Sequence, residues 1–203
     1  MQTYFTIDDM LEMIPEPNRS ACQRLLAHLR AHHPDAPGST HNHQAWPGGY
    51  LDHLCEFMNL VIVFYRSLSQ LRSQSYTLAD ALLVGFLHDL EKPWALVKTA
   101  QGTVMRIAVL QPKDAQHEFR MAKIQEFGIV LTPDQEDALR YVEGEMGVYS
   151  EHRRHMSPLA CCCHLADCTS ARMWPEHPLA SDDPWRGAAR WRGADTAATP
   201  AHE

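Results

Sequence analysis

A surplus of positive charge is what this sequence most plainly lacks. Its 18 Lys and Arg stand against 25 Asp and Glu, a formal net charge of −7. A protein that holds long nucleic acid or an anionic membrane without sequence preference needs a basic footprint, so neither is an expected partner. A small anionic ligand is compatible with this charge if something local and positive receives it, and a metal ion would serve. No apolar run approaches the ~18 residues of a membrane span. The opening MQTYFTIDDMLEMI lacks the basic-then-apolar order of a secretion signal, so the expected location is the cytoplasm. Paired CxxC spacings are also missing. Four of the six Cys lie in CCCHLADC on one predicted helix, where their directions do not suit a disulfide framework. Buried, small, apolar Cys in a reducing compartment is the better reading than a zinc site.

Histidine, in contrast, is abundant, with 13 in 203 residues. That favours metal chemistry without locating it. Apolar residues make up 45% of the chain, enough for one domain with its own core. We place that domain at 1–173, with its metal-site core at about 40–172, and expect a mostly irregular tail over 174–203 rich in Pro, Gly, Ala and Asp.

Nearly every periodic segment is helical, and the expected class is all-α. Thr6 or Asp8 caps a short helix to Ile14, and helical spacing recurs over 17–32. Residues 33–48 read as a loop, and a long apolar-rich helix runs from Gly49 to about Leu71. Thr77 with Asp80 approximates a capping box for a helix predicted to reach Lys92 before Pro93 ends it. Around Gln101-Gly102, β-branched residues suggest a small β-hairpin insertion at 96–109. Further helices are predicted from Asp114 to Phe127, from Thr132-Pro133 to about Glu143, and from Ser157-Pro158 to about Arg172.

Within this pattern GFLHDLEK raises a chemical question. His88 and Asp89 are adjacent, about 100° apart on a helix, so they flank one ion only near a helix end. A neutral nitrogen and a hard carboxylate suit Mn²⁺, Co²⁺, Ni²⁺, Fe²⁺ or Zn²⁺ better than an all-oxygen calcium cage. His53 in PGGYLDHLCEFM follows a Gly-Gly loop. Asp167 in CHLADCTSAR sits mid-helix among apolar residues, where an unpaired carboxylate would cost several kcal/mol, so it calls for a cation.

Together the segments HNHQAWPGGYLDHL, ALLVGFLHDLEKPW and HLADCTSAR resemble the ligand blocks of the HD-domain metal-dependent phosphohydrolase superfamily. The order matches, with 35 residues from His53 to His88 and 78 from Asp89 to Asp167. The opening block is especially similar to bacterial HD proteins that act on nucleotides or oligonucleotides. The resemblance implies a helical bundle whose metal is held by His53, His88, Asp89 and Asp167. A second metal, as some branches carry, would draw on His117, but Val142 stands where a further His is usual; Glu143, His152 or His155 are the substitutes to consider. The activity so implied is hydrolysis of a nucleotide's phosphate ester or anhydride by metal-activated water. The nucleotide could be a mono-, tri- or cyclic nucleotide or a short oligonucleotide.

For that reaction Lys92 is the candidate for stabilising phosphate charge. Glu91 is either a general base or the ion-pair partner of Lys92. His41, His43, Arg120, His152 and Arg153 are candidate substrate contacts, with Arg154 and His155 in the same basic group. Trp46 and Trp94 read as pocket wall or core rather than base-stacking platforms. The expected partner is a small nucleotide, with a homo-oligomer compatible. Alternative readings are a di-iron oxygenase of the HD type, which requires a full second site, and a nucleotide-sensing module without catalysis.

Overall fold

A computed structural model describes residues 3–145, 152–175, 183–188 and 190. The helices are α1 (Ile7–Leu11), α2 (Asn18–His32), α3 (Gly49–Leu71), α4 (Leu78–Leu87), α5 (Lys92–Ala95), α6 (Lys113–Glu126), α7 (Pro133–Tyr141) and α8 (Pro158–Met173). The fold is mostly α-helical, and among the described residues the one small sheet is the hairpin of β1 (Leu96–Lys98) and β2 (Val104–Arg106). These strands pair antiparallel with Val97 opposite Met105.

Local chemistry explains the helix starts. Thr6, Thr77 and Thr132 each accept from the backbone N–H three residues on, and each forms a reciprocal capping box, with Asp9, Asp80 and Gln135 respectively. Ser157 caps α8 by accepting from Ala160 N, without a reciprocal bond, and Pro158 takes its first position. The 3₁₀ turn Ala108–Leu110 between hairpin and α6 has no periodic signature and was not predicted.

The centre of the bundle is α3. Its first fourteen residues, Gly49 to Ile62, are all buried, and it packs on both α8 and α4, with α7 closing against those two. Phe57, Met58, Leu82, Phe86, Leu87, Cys163 and Ala166 meet in this core. All six Cys are free thiols; Cys22, Cys55, Cys162 and Cys163 are buried, in line with small apolar packing. Gly85 permits the α3–α4 approach, because a Cβ there would lie 2.6 Å from the Phe57 ring.

Two expectations need correction. The helix starting at Thr77 does not reach Lys92 but stops at Leu87, with His88 as its C-cap. His88 Nδ1 donates to the Gly85 carbonyl, and tight turns follow, Leu90 N to Leu87 O and Lys92 N to Asp89 O. Pro93 does not end a helix but sits in the first turn of α5, where a missing N–H costs nothing. Of the expected tail, residues 174, 175, 183–188 and 190 contain no helix or strand, and the rest lies outside the described residues. The described part is nevertheless packed. Tyr4 N donates to Arg186 O, Tyr4 and Trp185 meet edge to face, and Arg190 Nε lies 2.8 Å from Asp52 Oδ2.

No described helix is long and apolar enough to cross a membrane.

Candidate metal centre

Four side chains from three places in the chain converge at the middle of the bundle. The Gly-Gly entry to α3 supplies His53. Gly48 takes the left-handed conformation at the N-cap, and Gly49 lies so close to the Gln44 carbonyl that a Cβ would fall 1.9 Å from its oxygen. The end of α4 supplies His88 and Asp89, and the middle of α8 supplies Asp167. Their side chains are 0%, 1%, 6% and 22% exposed respectively, so three of them are shut off from bulk water.

The distances define one small sphere. His53 Nε2 lies 3.3 Å from His88 Nε2, 3.4 Å from Asp89 Oδ2 and 3.4 Å from Asp167 Oδ1. His88 Nε2 lies 3.1 Å from Asp89 Oδ2 and 3.8 Å from Asp167 Oδ1. Metal–ligand bonds of about 2.0–2.2 Å set neighbouring ligand atoms roughly 3.0–3.5 Å apart, close to most of these separations. Among the described residues, His53, His88 and Asp167 are the group of three or more His, Cys, Asp or Glu that could hold a metal ion, and Asp89 lies against it.

Hydrogen bonds fix how the imidazoles present themselves. The Gly85 carbonyl can only accept, so His88 carries its proton on Nδ1, 2.7 Å away. Ser170 Oγ donates to Glu56 Oε1 at 2.6 Å and therefore accepts from His53 Nδ1 at 3.1 Å. Gln44 Nε2 also reaches Glu56 and Ser170. Both Nε2 lone pairs thus face each other, with two carboxylates beside them, and Asp89 Oδ2 has no well-directed hydrogen bond. Such a cluster of electron pairs could hold a metal ion. Ser170 and the Gly85 carbonyl hold the two imidazoles from behind, as partners of metal-binding His commonly do.

In the metal-free protein a proton does part of this work. Burial alone would lower the His53 pKa, but Asp167 and Asp89 offset it and hold it above its ordinary value. Burial opposes ionisation of Asp167 too, yet His53 and His88 bring it down to about 2. Asp89 is held well below the usual carboxylate range against its burial, chiefly by Lys92 and His88. Lys92 is in ion-pair contact with Asp89 Oδ2, and the Asp89 and Asp167 carboxylates keep its ammonium charged despite burial.

Opposite pH slopes follow. A raised His53 pKa gives stability that is complete below the unfolded value of about 6.5 and lost as pH rises through the folded pKa. Melting temperature of the metal-free protein is expected to fall as pH rises through that window. A metal displaces the same proton, so its affinity is expected to climb over the same range. The lowered Asp pKa values act only in acid, far from this window. Thermal melts with and without Mn²⁺ between pH 5.5 and 8.5 check both slopes.

The remaining predicted site residues are placed differently. Glu91 does not pair with Lys92. Its buried carboxylate accepts from Arg120 Nη2 at 3.1 Å and meets Arg106 Nη1 at 3.4 Å. Arg120 is itself buried and also donates to the Leu139 carbonyl, so this expected base and this expected phosphate contact occupy each other. Glu143 is engaged by Lys113 and Arg120, and Val142 is core, its carbonyl accepting from His164 Nδ1 at 2.7 Å. His117 lies outside the metal group, in an open groove of about 700 Å³ with Met121, Ile124 and Val130. His41 is exposed and meets Thr40 Oγ1 at 2.9 Å, and His152 and Arg153 are exposed ahead of α8.

His43 stays at the centre, its ring 5.0 Å from that of His53. Gln44 Oε1 takes its Nδ1 proton at 2.6 Å. Burial, His53 and Lys92 push its pKa down to about 4, so it is a neutral acceptor rather than a phosphate-binding cation. Trp46 donates to Asp52 Oδ2, and Trp94 packs among His28, His33 and Phe119.

Sequence reasoning missed Ser170, Glu56 and Gln44. Glu56 carried a usable signal, an acid inside the buried apolar face of a helix, the same signal that pointed to Asp167. Removing the hydroxyl in Ser170→Ala frees the His53 ring to take either tautomer. Metal affinity measured by isothermal titration is expected to fall about 10–100-fold, and the metal-free melting temperature to drop as well, because Glu56 loses its buried donor.

Comparison with protein-family models, with curated proteins and with solved structures finds no match to this chain, so its function has to be read from the centre itself.

Proposed function

We propose that this chain is an HD-type, divalent-metal-dependent phosphohydrolase that cleaves a phosphate ester or anhydride of a small nucleotide. The observation that carries the reading is the convergence of two imidazole Nε2 atoms, with their tautomers fixed, on Asp89 and Asp167 beside one buried ammonium. The order and spacing of these residues match the ligand blocks that suggested the family. A bound divalent ion supplies Lewis-acid polarisation of a phosphoryl oxygen and makes a water more acidic.

The chain's own groups do the rest. His53, His88, Asp89 and Asp167 would hold the ion. Lys92 supplies a fixed positive charge for a phosphate oxygen, the local positive element that an acidic protein needs to receive an anion. His43 offers a neutral acceptor that orients a water or a substrate hydroxyl. Glu91 and Arg120 brace the α5 turn that carries Lys92. With its carboxylate engaged by Arg120, Glu91 is not assigned the base role in this reading.

The test is the purified protein with Mn²⁺, Co²⁺ or Ni²⁺ and a panel of mono-, tri- and cyclic nucleotides and short oligonucleotides. Metal-dependent release of phosphate or of a nucleotide product is expected. Bound metal with no turnover of any phosphate ester contradicts the reading, and tight nucleotide binding without turnover makes the chain a sensor instead.

A further inference from the structure

A second group of histidines lies where the proposed reaction does not use it, at the C-terminal end of α2. His28 and His32 are one helical turn apart, so they share a face. Their ring centroids are 4.4 Å apart, and His33, just past the last residue of α2, places its ring 6.0 Å from that of His28. The metal centre gives an internal scale. There the His53 and His88 rings, with Nε2 atoms 3.3 Å apart, have centroids 5.4 Å apart. The two distances at α2 bracket that value.

We propose that His28 and His32 chelate a second transition-metal ion, one of the imidazole-preferring ions Cu²⁺, Ni²⁺ or Zn²⁺. The helix end favours it, because the unpaired carbonyls of a last turn carry partial negative charge. His32 is exposed while His28 and His33 are half-buried, so the site is open to solvent and needs no unfolding to fill. Partial burial and the neighbouring His rings keep His28 and His33 towards the neutral form that ligates metal. The facing groups from α5 and α6 are Trp94, Phe119, Phe127, Lys123 and Glu126. Two cations oppose a bound ion: Lys123, 4.9 Å from the Trp94 ring and ion-paired with Glu126 Oε2 at 2.8 Å, and Arg24, one turn before His28, which donates to the Phe127 carbonyl. Without carboxylate ligands the pair discriminates against Mn²⁺, the weakest binder of the first-row series.

The proposal changes how metal analysis of this protein is read. Two Cu²⁺ or Ni²⁺ ions per chain would not mean a dinuclear centre, since the second ion sits on α2 and depends on none of the four ligands of the first.

Trp94 provides the readout, because its ring stacks against His28 at 5.9 Å and a paramagnetic ion there quenches its emission. Full-length protein is titrated with Cu²⁺ while tryptophan fluorescence and bound copper are followed. Wild type is expected to bind two ions, one with saturable quenching that Trp94→Phe largely removes. His32→Ala and His28→Ala are each expected to weaken that phase at least tenfold and to leave the other ion bound. Asp167→Asn, or His88→Ala if the first is poorly folded, is expected to do the reverse. A single ion per chain that survives both α2 variants, or quenching unchanged in both, overturns the proposal and leaves the reading of the main centre untouched.

Discussion

Asp167→Asn is expected to reduce metal-dependent turnover by about 1,000-fold or more while leaving the fold intact. The amide has almost the volume of the carboxylate, so α8 keeps its packing. What is lost is the charge that, with Asp89, balances a dication among two imidazoles. A thousandfold loss corresponds to about 4 kcal/mol of barrier, the scale of electrostatic stabilisation by a metal. Melting temperature separates this from unfolding. At about 100 times its Kd an ion stabilises wild type by roughly 2.7 kcal/mol, or about 5–10 °C for a chain of this size. Asp167→Asn is expected to show no such rise at the same concentration. Full turnover in the variant would remove Asp167 from the centre.

Glu91→Ala is expected to act on stability instead. Arg120 is 3% exposed and Glu91 1%, so truncation leaves a guanidinium buried with half its neutralising charge gone. Breaking a buried pair from one side costs about 3–5 kcal/mol, a large part of the stability of an ordinary domain. Glu143, 3.5 Å from Arg120, softens the loss in part, whereas Arg106 loses the same partner and adds to it. Chemical denaturation would measure it. The double variant Glu91→Leu/Arg120→Met is expected to recover most of the stability, because the charge left unpaired is Arg106, 17% exposed, and Glu143 keeps Lys113. If Glu91 were the general base, the single variant would keep its denaturation midpoint and lose turnover with an altered pH profile.

Much of the bundle was legible because its determinants are local or periodic. Thr77 with Asp80 and Thr132 with Gln135 announce helix starts within four residues. The apolar run of α3 announces the central helix. Asp167 could be singled out because a carboxylate in an apolar helix face has few inexpensive explanations. The true end of α4 was not legible. It depends on His88 turning its Nδ1 onto Gly85, a choice between two ring nitrogens that no spacing encodes.

The Glu91–Arg120 pair was misread for a related reason. Lys92 is the neighbour in sequence, but the guanidinium arrives from α6, 29 positions away. Lys92 turns instead to Asp89, three residues back, because the chain has left the helix there. Ser170 was invisible for lack of charge and periodicity. Its role exists only once α8 lies against α3 and Glu56 takes its proton. Arg190 likewise meets Asp52 from a segment whose composition has no regular pattern. Polar contacts across the fold leave little trace in a single sequence, whereas apolar periodicity and helix caps leave a clear one.

The central claim is that one divalent ion is held by His53, His88, Asp89 and Asp167. Mn²⁺ tests it most directly, because the carboxylates favour it and the imidazole-only site on α2 does not. Electron paramagnetic resonance of free Mn²⁺ during titration counts the bound ions. The account predicts one tightly bound Mn²⁺ per chain in wild type, none in His88→Ala, and one still present in His28→Ala. No bound Mn²⁺ in wild type, or equal binding in His88→Ala, would contradict it.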